Sequence, residues 1–112
     1  MITVNTDYLA GYRVQKTLGL VQGSTVRAKH LGRDIAAGLK GLVGGELSGY
    51  TELLNESRWQ AMNRMIQQAE QLGANAVVNV RFTTSAITQG ASELYCYGTA
   101  VVVEPEENFS TG

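Results

Sequence analysis

The sequence predicts an α+β fold: a largely antiparallel β-sheet packed by one long and one short helix. Three observations predict it. Tyr50 to Leu72 carries apolar residues at helical spacing, while Ala76–Ser85 and Leu94–Glu104 carry them in strand-like runs. The connection between those two strands is short, which implies an antiparallel pair. The order strand, hairpin, short helix, long helix, hairpin sets helices against one face of a sheet. A chain of 112 residues suits one domain, placed at 1–104, with 105–112 as a flexible acidic tail after the only proline, Pro105.

Residues 2–5 read as a short strand. Tyr12 to Lys29 is β-like, with Val14, Leu18 and Leu20 on one parity, and Gln22-Gly23-Ser24 supplies turn chemistry before Thr25-Val26, which predicts a hairpin. Gly19 marks a bulge or a close backbone approach. Arg33 to Val43 reads as a short helix through Ile35, Leu39, Leu42 and Val43, interrupted by Gly38 and Gly41 and ended by Gly44-Gly45. Each of those interior glycines costs about 0.8–1.0 kcal/mol against alanine in an exposed helix.

The long helix presents Leu54, Ala61, Met62, Met65, Ala69 and Leu72 as an apolar stripe, with Glu52, Glu56, Asn63, Gln67 and Glu70 opposite and Gly73 as its C-cap. In Ala76–Ser85, alternation sends Val78, Val80 and Phe82 to one side and Val77, Asn79 and Arg81 to the other. The last strand has apolar side chains on both parities, Val101 and Val103 against Ala100 and Val102, so both its faces are expected to be covered.

Composition narrows the function classes. Nine Lys+Arg against ten Asp+Glu give a formal charge of −1, without the basic footprint of a nucleic-acid binder. Tyr95 and Tyr97 share a strand face, but no basic groove accompanies them, so packing is the expected role. No apolar run reaches the roughly 20 residues of a spanning helix. Met1 to Asp7 lacks a basic n-region and an apolar h-region, so a cytoplasmic protein with no membrane partner is expected. One cysteine, Cys96, and one histidine, His30, exclude a disulfide framework and a multi-thiolate zinc site. Those two are the weak candidates for a metal ion, the only cofactor the donors leave open. No nucleophile triad, paired-carboxylate or phosphate-loop motif occurs, so no catalytic residues and no enzyme are expected.

Two features point to self-association. The segment 35–45 is poor in polar residues, and the glycines at 38 and 41 permit another backbone to come close. Trp59 and Ile66, seven residues apart, widen the stripe of the long helix as an interface anchor would. The interface candidates are therefore Ile35, Gly38, Gly41, Leu42, Trp59 and Ile66. Arg58 falls between Leu54 and Met62, and a guanidinium there must be paired or reach water. It reads either as an anion contact or as a structural pair with an acid such as Glu46 or Glu93. Backbone N–H groups of the Gly44-Gly45 turn are a further anion candidate.

Gly44-Gly45-Glu46, Tyr50, Leu54, Arg58 and Ala69, followed by the run Leu72-Gly73-Ala74-Asn75-Ala76-Val77-Val78 and then Val80-Arg81-Phe82, resemble the YbjQ-like family. Tyr97-Gly98-Thr99-Ala100-Val101 extends that resemblance, as do Gly19, Val21, Gly23 and Arg33-Asp34 in the first half. It spans nearly residues 1–104. The resemblance implies a small bacterial subunit with a dodecin-subunit-like fold, assembled into a ring-like homopentamer, and carries over Arg33, Gly44, Gly45, Tyr50 and Arg58 as family-type residues. The family's function is not established, and its label is "putative heavy-metal-binding". This chain departs from that label in offering no thiol or imidazole cluster and no acid in 76–85. The expectation is a non-enzymatic homo-oligomer that binds a small ligand or ion at inter-subunit clefts through Arg33, Gly44, Gly45, Glu46, Tyr50 and Arg58. The alternatives are a purely structural or protein-interaction oligomer and the heavy-metal binder of the label.

Overall fold

The computed structural model describes residues 1–27, 48–88 and 91–107. The elements are β1 (Ile2–Thr3), β2 (Tyr12–Arg27), α1 (Ser48–Gln71), β3 (Ala76–Thr88) and β4 (Ala91–Pro105). The short helix expected at Arg33–Val43 lies outside the described residues. The four strands form one sheet in the order β1-β3-β4-β2. The sheet is mixed: β1 runs parallel to β3, while β3–β4 and β4–β2 are antiparallel.

The hairpin expected in Tyr12–Lys29 does not form. β2 is a single 16-residue strand, and Gln22, Gly23 and Ser24 pair in register with Tyr97, Cys96 and Tyr95. Gly23 serves contact rather than a turn. A Cβ there would stand 2.5 Å from the Met65 amide nitrogen and closer still to the Ala61 carbonyl oxygen. The bare glycine therefore lets the backbone of α1 rest directly on the strand. Gly19 does mark a bulge: its φ is +116°, beside the register shift between Thr17 and Gly19.

α1 ends as its sequence predicts. Gly73 takes φ +87°, and the Ala74 amide donates to the Ala69 carbonyl. The buried stripe is rotated from the one expected. Ser57, Ala61, Met65 and Ala69 are buried, whereas Leu54 and Leu72 are exposed. Close approach to Gly23 selects the small residues at i, i+4 and i+12 for the contact and turns the larger leucines outward. Ser57 belongs there because its carbonyl accepts a hydrogen bond from Thr25 Oγ1 at 3.3 Å.

The strict alternation expected along β3 is also broken. Asn79 adopts φ 56° at a register shift between Val78 and Arg81. Asparagine tolerates this left-handed geometry better than most residues. The bulge puts Val77 and Val80 into the cluster under α1, with Val21, Met65 and Ala100, while Val78 joins a second cluster. That second cluster, on the other face, joins Ala76, Val78, Val101 and Val103 to Val4, Leu9 and Tyr12. Both faces of β4 are indeed covered at this end, the far one by the chain's own segment between β1 and β2. The Asn79 amide donates to Thr6 and the Val80 amide to Val4, which holds that segment across the sheet.

The molecule is elongated, 64 × 30 × 17 Å, with a radius of gyration of 18.5 Å. A compact domain of this size has about 13 Å. The excess comes from long strands, since β2 and β4 extend beyond the doubly covered end as an arm.

Candidate functional site

Arg33, Gly44, Gly45 and Glu46 lie outside the described residues, as do His30, Ile35, Gly38, Gly41 and Leu42. Tyr50 sits in the first turn of α1, and the position of its side chain is likewise outside the description. The remaining candidates, Arg58, Trp59, Ile66 and Cys96, fall at separate places.

Arg58 is not inside the buried stripe. Rotation of that stripe toward Ser57 and Ala61 leaves Arg58 exposed, its Nη1 donating to Asn55 Oδ1 at 3.3 Å one helical turn back. Among the described residues the one salt bridge joins Arg13 to Glu104, so no described acid pairs with Arg58. The burial argument for an anion contact at Arg58 therefore fails.

Trp59 is 68% exposed, while Ile66 packs partly against the main core. Between them Met62 reaches a cleft of about 210 Å³ lined by Thr3, Val4, Asn5, Met62, Val80 and Phe82. This cleft opens where β1 stops. β1 pairs only with Ala76 and Val77, and the segment after it bonds Asn79 and Val80. Among the described residues no backbone hydrogen bond reaches the outer edge of β3 beyond Val80. The other sheet edge is treated differently. The Gln22 amide of β2 donates to Gln68 Oε1 at 2.7 Å, and Arg64 Nη1 donates to the Ser24 carbonyl. Two side chains one turn apart on α1 thus occupy the edge of β2, a standard protection against unwanted strand pairing. Sequence reading missed Arg64 and Gln68 because an exposed arginine and glutamine four apart look like any solvated helix face.

Asn75 was also missed. Its Nδ2 donates to the Val103 carbonyl and its Oδ1 accepts from the Val103 amide, both at 2.8 Å. The side chain thereby acts as an extra bridge that fixes the start of β3 against β4. The signal available was an Asn two residues after a Gly C-cap, which reads equally as a turn residue.

Cys96 is fully buried. Its Sγ lies 3.6 Å from Met65 Sδ, and it faces Gly23 across the β2–β4 ladder. Burial pushes its thiol from the ordinary 9.0 up to about 11. Metal ligation needs the thiolate, and its surroundings are Val21, Val77, Val80 and Ala100. Among the described residues no three His, Cys, Asp or Glu side chains converge. The donor set around Cys96 does not fit a heavy-metal centre. No described helix is long and apolar enough to cross a membrane.

The comparisons with known proteins agree on kinship and are silent on activity. The YbjQ family model, described as "putative heavy-metal-binding", matches residues 1–104. A UPF0145 protein of Hahella chejuensis is 61% identical over 104 residues, 93% of this chain and 100% of its own length. One from Acinetobacter baylyi is 63% identical over 97 residues, covering 87% and 90%. One from Methanosarcina acetivorans is 54% identical over 103 residues, covering 92% and 97%. Among solved structures, a DUF74-family protein of unknown function from Pediococcus pentosaceus has a similar fold. It superposes with a TM-score of 0.60 at 14% identity, covering 93% of this chain and 98% of its own. The sequence matches carry the kinship and the structural match carries the fold: this chain belongs to the uncharacterised YbjQ/UPF0145 family.

Proposed function

We propose that this protein is a non-enzymatic homo-oligomer of the cytoplasm whose copies dock along the open edge of β3 and the adjoining flank of α1. Docking there encloses the cleft by Met62 and Phe82 as an inter-subunit site for a small ligand. The observation that carries the reading is the open edge of β3 beyond Val80, which no described residue pairs, beside the cleft of Met62 and Phe82, with Phe82 41% exposed and Trp59, of the same helix as Met62, 68% exposed. Tryptophan in such a margin is the residue type enriched among interface anchors. An unpaired edge beside it supplies backbone donors and acceptors for a neighbouring chain. The ring-like pentamer implied by the early resemblance is the assembly we propose.

Sedimentation velocity at micromolar concentration tests the proposal. The expected result is a single species several times the 12.1 kDa chain mass, dissociated or shifted to smaller species by Trp59→Lys with unchanged circular dichroism. A monodisperse wild-type monomer would overturn it. Native mass spectrometry of gently purified protein then reads the retained ligand mass.

A further inference from the structure

The family description points to a heavy metal, and heavy metals of the soft class are held by sulfur. We infer that Cys96 is a packing residue sealed beneath α1 and that the folded chain does not hold a soft metal through its one thiol, so other donors remain for any cation it takes. Three observations carry this. Cys96 has no exposed surface, and α1 is pressed onto the strand beside it so closely that Gly23 has no room for a Cβ. The donor nearest to Cys96 is Met65 Sδ at 3.6 Å, itself fully buried. The buried cluster it belongs to is otherwise apolar, with Val21, Val77, Val80 and Ala100, and among the described residues no third or fourth ligand converges. A tetrahedral site needs four ligands, with metal–sulfur bonds of about 2.3 Å. Making that space would require lifting α1 from β2. A second copy cannot supply the missing ligands either, because the thiol lies between helix and sheet rather than on a surface. Buried thiols of this kind behave as small hydrophobes with a weak S–H donor. The Sγ–Sδ contact is the one polar interaction made by the Cys96 side chain among the described residues, and it is a packing contact between two soft groups.

The test compares the folded with the unfolded chain, using cadmium ion alone as the probe. Full-length protein is mixed with Cd²⁺ in buffer and, separately, in urea, and sulfur-to-cadmium charge-transfer absorption is recorded in the ultraviolet. In parallel, thiol reactivity toward an aromatic disulfide reagent is followed. The expected result is no charge-transfer band and slow labelling in the folded protein. Both signals then appear on mixing in urea, and the urea signals vanish in Cys96→Ala. A charge-transfer band in the folded wild type, with its circular dichroism intact, would overturn the inference. The comparison within the wild type decides the matter even where Cys96→Ala folds poorly. It is independent of the assembly reading, because the outcome is the same for a monomer and for a ring.

Discussion

The two ends of the sheet are built from similar strands and covered to different extents. At the end where β3 begins, both faces are covered: α1 seals Val77 and Ala100, and the segment following β1 seals Val78, Val101 and Val103. Toward the other end α1 still covers Gly23, Thr25 and Cys96 on one face, but residues 81–86 of β3 are all exposed, as is Val26 of β2. A sheet region with two dry faces is complete in one chain. A region with apolar residues in water and an open edge is left incomplete by the described chain, and the proposed docking of a second copy would meet both needs at once. The lesson is that a strand apolar on both parities does not by itself prove association. At the Val101–Val103 end the cover is intramolecular.

The comparison turns on the contact between α1 and Gly23, which joins the sealed end to the arm. Gly23→Ala places a methyl group against helix backbone that cannot move aside, and it is expected to cost about 3 kcal/mol, at the upper end of overpacking penalties. Urea denaturation would show this as a lowered midpoint, and a loss below 1 kcal/mol would mean that α1 does not rest on the arm so tightly. Next comes the Cys96 thiol. Its folded pKa is raised, so the unfolded chain loses its proton first as the pH rises. Stability is then full below pH 9 and falls between 9 and about 11. The expected loss is about 2–3 kcal/mol over that window. Cys96→Ala should lack that component of the alkaline slope when the two proteins are unfolded in parallel; equal slopes would place the thiol in contact with water.

Smaller effects sharpen the sealed end. Asn75→Ala removes both bonds to Val103 and is expected to cost about 1–2 kcal/mol. Amide exchange at Val103 should accelerate with it. Smallest is Arg58→Ala, expected to change stability by less than about 0.5 kcal/mol, as for an exposed residue with one weak partner. A larger change in the thermal midpoint would show that Arg58 has a partner in the assembly.

The sequence determined more of the fold than of the site. The period of Tyr50–Leu72, the glycine after it and the paired runs at 76–85 and 94–104 announced a helix and two strands, because periodicity and capping are local properties. The bulge at Gly19 was legible for the same reason. Arg58 was misplaced because a helical wheel gives relative angles along α1 but not which angle meets the sheet. That orientation was decided by a missing Cβ at residue 23, dozens of residues away. The reading of Gln22-Gly23-Ser24 as a turn failed on the same point, since a glycine that bends a chain and a glycine that admits a helix look alike in sequence.

By itself, then, the sequence settled the long helix and the two strands after it, the absence of a thiol cluster and the kinship carried by Leu72-Gly73-Ala74-Asn75-Ala76-Val77. Tertiary structure decided which face of α1 is buried, that Asn79 flips the parity of β3, that the chain's own start covers the far face, and that Cys96 is buried beneath α1. The physical reason is range. Propensity and periodicity act over a few neighbours, whereas burial depends on which distant backbones come close enough to exclude water.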